Sequence, residues 1–273
     1  MSVMDDLQGG TLALEHRYDL RKRAGDFALF SIYRGVQHPF ERPIWVKVCG
    51  APSEFRVPEL YDRLKRSVVE ASAFEHANVL RIVDFGDFET HVPFVVTERA
   101  PGVALIELLA DQGTLAPQDA TQLLRATAEV VAAAHDEGLI HGGIAPRWIT
   151  VADDGGVFVD HFGLQPTMAE IRAMEGAILS DDLLWSLPPE QFGDDAVKPA
   201  VHADVWALGA LGYWMLSGVH PYFDDPTDTS DAVLRSYSAR ERRIASWSSD
   251  APNAVRSRAS SAACRSRSRN PGS

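Results

Sequence analysis

His141–Gly163 reads HGGIAPRWITVADDGGVFVDHFG, and the architecture of the chain turns on it. An apolar helical run, Ala120–Glu137, leads into it. Its Leu123, Leu124, Ala128, Val131 and Ala132 form one stripe, and Gly138 offers the stop. Two short β-like runs follow within it, before a glycine-bearing turn closes the stretch at Gly163.

On either side of it, the chain divides by periodicity. From Arg17 to about Val96 it is mainly strands: Tyr18–Leu20, Leu29–Arg34 and Ile44–Val48 are rich in β-branched and aromatic residues. Pro58–Phe74 interrupts them with a helical face of Leu60, Leu64, Val68, Ala71 and Phe74. Beyond Pro101-Gly102 the period is helical, and Asp204–Leu216 is the most apolar helix. At 12 residues of sustained apolarity, Val205–Leu216 is too short to cross a bilayer, which needs about 20. No membrane span is expected.

Composition narrows the class. With 45% hydrophobic and 23% charged residues in 273, the chain has the makeup of a globular protein. Cys49 and Cys264 carry neither disulfide nor zinc spacing, and a cytoplasmic setting is expected. The net charge of −12 is uneven, because the stretch from Arg235 to Ser273 holds nine arginines against only Glu241 and Asp250. The body is therefore more acidic than the total, which argues against nucleic acid as its partner. Residues 1–16 read as a loose arm and 244–273 as a disordered Ser/Arg-rich tail.

Several segments in fixed order carry a resemblance. Ile44–Lys47, His76–Leu80, His141–Ile149, His161-Phe162-Gly163, Pro188–Gln191 and Asp204–Gly209 resemble the VAIK strand, HPN turn, catalytic loop, DFG turn, APE motif and anchoring helix of bacterial Ser/Thr protein kinases. The resemblance implies an α+β, two-lobed protein-kinase-like fold over residues 17–243. Its small lobe would be about 17–100 and its large lobe about 101–243, cut short at the C-terminal end. It also implies that Asp204 holds the loop backbone, that His141 packs, and that Glu190 belongs to a buried pair.

Within that resemblance, the chemical positions have changed. The family's loop Asp is Gly143, its loop Lys is Ala145, its metal-binding Asn is Trp148, and the Asp of its DFG is His161. Phosphoryl transfer needs a metal clamp and an oriented hydroxyl, and imidazole and indole are poor ligands for hard Mg²⁺. Asp160 is the carboxylate that could turn in to hold a metal, although its register assigns it to the strand. In the glycine-rich loop Gly25–Phe30, Phe27 and Phe30 stand where the family has glycines, and Trp45 faces the adenine position. Lys47 remains as a vestigial phosphate-binding lysine. The family's helix Glu falls on Ser67, which leaves Glu70 as the expected partner of Lys47. His135, His141 and His161 share a region but have no ligand spacing.

These substitutions lead to the expectation of a pseudokinase: no enzyme, no ATP or Mg²⁺, no catalytic residue, and a regulatory or scaffolding role toward a protein partner. The contact surface would be Leu164–Leu187 and the face exposed by the short lobe; no oligomeric state is implied. The alternative is an atypical Ser/Thr protein kinase with residual ATP binding or phosphotransfer.

Overall fold

The structure is a computed structural model and describes residues 12–14, 17–27, 30–49, 58–87, 93–165, 186–188, 191 and 200–221. The expectations placed on Glu190, on most of Leu164–Leu187, on the short end of the large lobe and on the Ser/Arg tail lie outside these residues.

The first lobe is an antiparallel sheet of β1 (Leu12–Leu14), β2 (Tyr18–Phe27), β3 (Phe30–Gln37), β4 (Arg42–Cys49), β5 (Ile82–Asp87) and β6 (Pro93–Glu98), in the order β1-β2-β3-β4-β6-β5. Leu12–Leu14 adds to the edge of β2 through Leu12 opposite Leu20, so the expected loose arm contains a strand. β4 lies inside the sheet and is buried from Val46 to Cys49. Its Lys47 is opposite Ile32 on one side and Val95 on the other. Lys47 is fully buried in the middle of this central strand, and that placement sets up the site.

Helix α1 (Pro58–Ala73) buries Leu64, Val68 and Ala71, with Phe74 just beyond its end, as the spacing predicts. Ala71 and Phe74 pack with Val79, Val130, Ala134, Leu139, Val159 and Phe162 in a cluster that joins the two halves of the chain. The turn His76–Leu80 is stitched to the later strand β9 (Val157–Val159). Val159 donates its N–H to the Asn78 carbonyl at 2.8 Å, Leu80 to the Val159 carbonyl at 2.9 Å, and Asn78 Nδ2 to the Val157 carbonyl at 2.7 Å.

The second half holds β7 (Val103–Ala104), α2 (Leu105–Gln112), α3 (Pro117–Asp136), a 3-10 turn (Pro146–Trp148), β8 (Ile149–Val151), β9 and α4 (Val201–Ser217). Pro117 opens α3 where a missing N–H costs nothing, and Gly138 follows it at φ 77°. The buried face of α3 is Ala120, Leu123, Thr127, Val130, Val131 and Ala134, rotated from the stripe expected through Ala128 and Ala132. Polarity hid Thr127, yet its hydroxyl donates to the Leu123 carbonyl at 2.8 Å and so is satisfied when buried. α4 packs on α3, and its Ala207, Leu211, Trp214 and Met215 join a buried cluster with Leu105, Leu109 and Leu123. Among the described residues no helix is long and apolar enough to cross a membrane.

Candidate functional site

Where the sheet meets the loop between α3 and β9, two charges are buried together. Lys47 has no exposed surface, and its Nζ lies 2.7 Å from Asp160 Oδ1. The Asp160 backbone is fixed from both sides: its N–H donates to the Trp148 carbonyl at 2.9 Å, and its carbonyl lies 2.9 Å from His141 Nε2. Its Oδ1 also accepts the His161 N–H at 2.6 Å. His161 then turns the chain with φ 77°, a left-handed value that non-glycine residues seldom adopt. This turn, just after β9, accompanies an Asp160 carboxylate aimed inward at Lys47. Oδ2 has a lighter engagement, a 3.4 Å contact from the Thr97 hydroxyl.

Four rings gather around the pair. Trp148 and His161 stack with centroids 3.8 Å apart and planes 6° apart. Phe27 meets Trp148 edge-on at 4.5 Å, and Phe30 meets His161 edge-on at 5.5 Å. The Lys47 ammonium lies 5.1 Å from the Trp148 ring centre, a cation–π contact beside the ion pair.

Electrostatics follow from burial. Desolvation pulls the Lys47 ammonium below its ordinary value, and the Asp160 carboxylate pushes it back up by charge and hydrogen bond. His161 is pushed well below the usual imidazole value, first by burial and then by the positive charge of Lys47. It is a neutral ring at pH 7. His141 is also lowered by burial, with Asp204 opposing.

The anchoring role of Asp204 is plain in the geometry. Its Oδ1 accepts the Gly142 N–H at 2.8 Å, and its Oδ2 accepts the His141 N–H at 2.9 Å and meets His135 Nε2 at 2.8 Å. His135, His141 and His161 thus face different partners. Among the described residues no group of three or more His, Cys, Asp or Glu side chains could hold a metal.

Several expected placements change. Glu70 is exposed on α1, and the partner of Lys47 is Asp160. Ser67 faces the turn at Gly163, where an added Cβ would lie 3.6 Å from the Ser67 Cβ. Trp45 is half-buried between the guanidiniums of Arg34 and Arg99, at 5.3 and 5.9 Å from its ring. Ala145 and Trp148 are buried in the loop core. Gly143 is seated against Gln165, which sequence reasoning missed entirely. A Cβ on Gly143 would lie 2.7 Å from Gln165 Cδ. Gln165 carries no motif, so no signal in the sequence points to it. For Asp160 a signal existed, a single carboxylate closing the apolar run Val157–Val159, but strand alternation alone does not reveal the turn at His161.

The residues present fit a nucleotide phosphate and a cation. Lys47 supplies a positive charge, and Asp160 Oδ2 supplies a carboxylate oxygen with spare acceptor capacity. Trp148 Nε1 and both His161 ring nitrogens are buried with no hydrogen-bond partner among the described residues. Such orphaned groups are costly unless something else satisfies them.

The protein kinase domain family matches residues 28–265. The chain is 31% identical over 215 residues to the serine/threonine-protein kinase PknL of Mycobacterium tuberculosis, covering 78% of this chain and 52% of that one. It is 26% identical to the serine/threonine-protein kinase PknB of Mycobacterium leprae, covering 78% and 34%. It therefore spans about half the length of PknL, and less of PknB. Among solved structures it resembles a mutant of the Mycobacterium tuberculosis PknI kinase domain, with TM-score 0.58, 20% identity and 77% coverage of each chain.

Two expectations are corrected by these findings. The relatives are named serine/threonine-protein kinases, and Lys47 and Asp160 form a buried ion pair; both point to an enzyme rather than a non-enzyme. The same pair overturns the expectation that ATP and Mg²⁺ are excluded, because the rings of Phe27, Phe30 and Trp148 enclose the charged groups and do not replace them. The chain belongs to the protein kinase domain family.

Proposed function

We propose that this domain, residues 17–243, is an atypical Ser/Thr protein kinase that binds ATP with a divalent cation and retains slow phosphotransfer to a protein substrate in the cytoplasm. The observation that carries the reading is the 2.7 Å contact between the buried side chains of Lys47 and Asp160. Lys47 would hold the phosphates, and Asp160, not His161, would offer the cation an oxygen. His161, being neutral, adds a nitrogen that transition-metal dications accept more readily than Mg²⁺ does. The family's metal clamp supplies charge neutralisation on the transferring phosphoryl group when bound.

The expected degenerate positions Gly143, Ala145, Trp148 and His161 set the rate. Gly143 brings no carboxylate to the acceptor hydroxyl. A positioned general base is worth about 10²–10⁴ in rate and kinases turn over at about 1–100 s⁻¹, so turnover of about 10⁻⁴–1 s⁻¹ is expected.

The test is transfer from labelled ATP with Mg²⁺ and, separately, Mn²⁺, with Lys47→Ala and Asp160→Asn as controls. Slow label incorporation that both substitutions abolish is the expected result. Incorporation absent with either cation, or unaffected by Lys47→Ala, refutes the reading.

A further inference from the structure

We infer that Gln165 stands in for the side chain missing at Gly143, and that its amide oxygen orients the acceptor hydroxyl; this rests on the phosphotransfer reading above. Gly143 holds the position where the family's loop carboxylate would be. A Cβ built there would lie 2.7, 2.8 and 2.9 Å from Gln165 Cδ, Cγ and Oε1. The space is therefore taken by a carboxamide from the segment after the His161 turn.

Two features make that carboxamide more than filler. First, it is held: Gln165 is 3% exposed, and its Nε2 donates to the Ser186 hydroxyl at 3.3 Å. In that arrangement Oε1 is the end of the amide nearer Gly143. Second, its Oε1 is buried with no hydrogen-bond partner among the described residues. A buried acceptor left open carries a desolvation penalty, which an arriving hydroxyl donor would offset.

An amide oxygen accepts a hydrogen bond but does not take a proton at neutral pH. In the transfer, the acceptor oxygen bonds to the terminal phosphorus, the bond to the leaving diphosphate breaks with its electron pair, and the hydroxyl proton passes to a phosphoryl oxygen. Gln165 contributes aim alone. This accounts for a slow enzyme with no loop carboxylate.

The experiment measures kcat and KM for labelled ATP, with Mn²⁺ and a degenerate serine/threonine peptide mixture as acceptor. Gln165→Ala and the near-isosteric Gln165→Met should each lower kcat by about ten- to hundredfold, as loss of alignment does, with KM for ATP unchanged. If the alanine variant does not fold, the methionine variant carries the test. Gln165→Glu should at least preserve kcat and add an acid limb to the pH profile, because a carboxylate at that place can act as a base. Alanine and methionine variants as fast as wild type, or faster, would make Gln165 a plug and overturn the inference while leaving slow phosphotransfer intact. Absence of Lys47-dependent turnover in wild type would overturn the parent reading and this inference with it.

Discussion

Replacing Asp160 with Asn removes one half of a buried ion pair and leaves the other half in place. Lys47 has no exposed surface and, among the described residues, a single anion at 2.7 Å. Breaking a buried pair from one side costs about 3–5 kcal/mol, because the remaining charge is stranded. Burial already pulls the Lys47 ammonium down, and Asp160 is the group that pushes it back up. In Asp160→Asn the lysine should therefore lose its proton at a lower pH in the folded state. Between that pH and the ordinary lysine value, the unfolded chain binds more protons than the folded one, so stability rises with pH. Urea unfolding from pH 7 to 9.5 should show the variant about 3–5 kcal/mol below wild type at pH 7, with the gap narrowing as pH rises. The doubly apolar Lys47→Met, Asp160→Leu variant should recover most of the loss. A cost below about 1 kcal/mol at pH 7, the range of an exposed pair, would refute the buried-pair reasoning.

Three further outcomes follow from the same packing. His161 and His141 are held neutral by burial, so below about pH 6.5 the unfolded chain takes up protons that the folded one refuses; stability should fall as pH drops, and His161→Phe should flatten that fall in a melting-temperature profile. Gly143→Ala should cost about 1–3 kcal/mol by overpacking against Gln165, and the cost should vanish in the Gln165→Ala background in a double-mutant cycle read by denaturant midpoint. Asp204→Ala removes the acceptor for the Gly142 and His141 N–H groups and for His135; two orphaned buried donors should cost about 2–6 kcal/mol by chemical denaturation.

Much of the frame was legible in the sequence because it is written in local signals. Pro117 and Gly138 bracket α3 and the spacing of Leu64, Val68 and Ala71 marks the inner face of α1, while the anchoring place of Asp204 was implied by the resemblance. The site was legible only in its letters. Gly143, Trp148 and His161 flagged altered chemistry, but the side chains that occupy the altered places come from elsewhere in the chain. Asp160 reaches Lys47 beside the positive φ of His161, a backbone turn that a periodicity of two does not contain. Glu70 has the right helix face by counting, yet it is the residue after β9, Asp160, that lies beside β4. Gln165 shows the limit most clearly: its contact with Gly143 is a steric fact between two residues with no pattern linking them.

Whether Lys47 and Asp160 still form a nucleotide site is decided by thermal unfolding in the presence of ATP. Native-state binding raises stability by about 2.7 kcal/mol at a hundredfold excess over Kd. A saturable rise in melting temperature is expected with ATP plus Mg²⁺ or Mn²⁺, lost in a folded Lys47→Ala variant. A melting temperature that stays constant through millimolar ATP with both cations is incompatible with a nucleotide site at this pair.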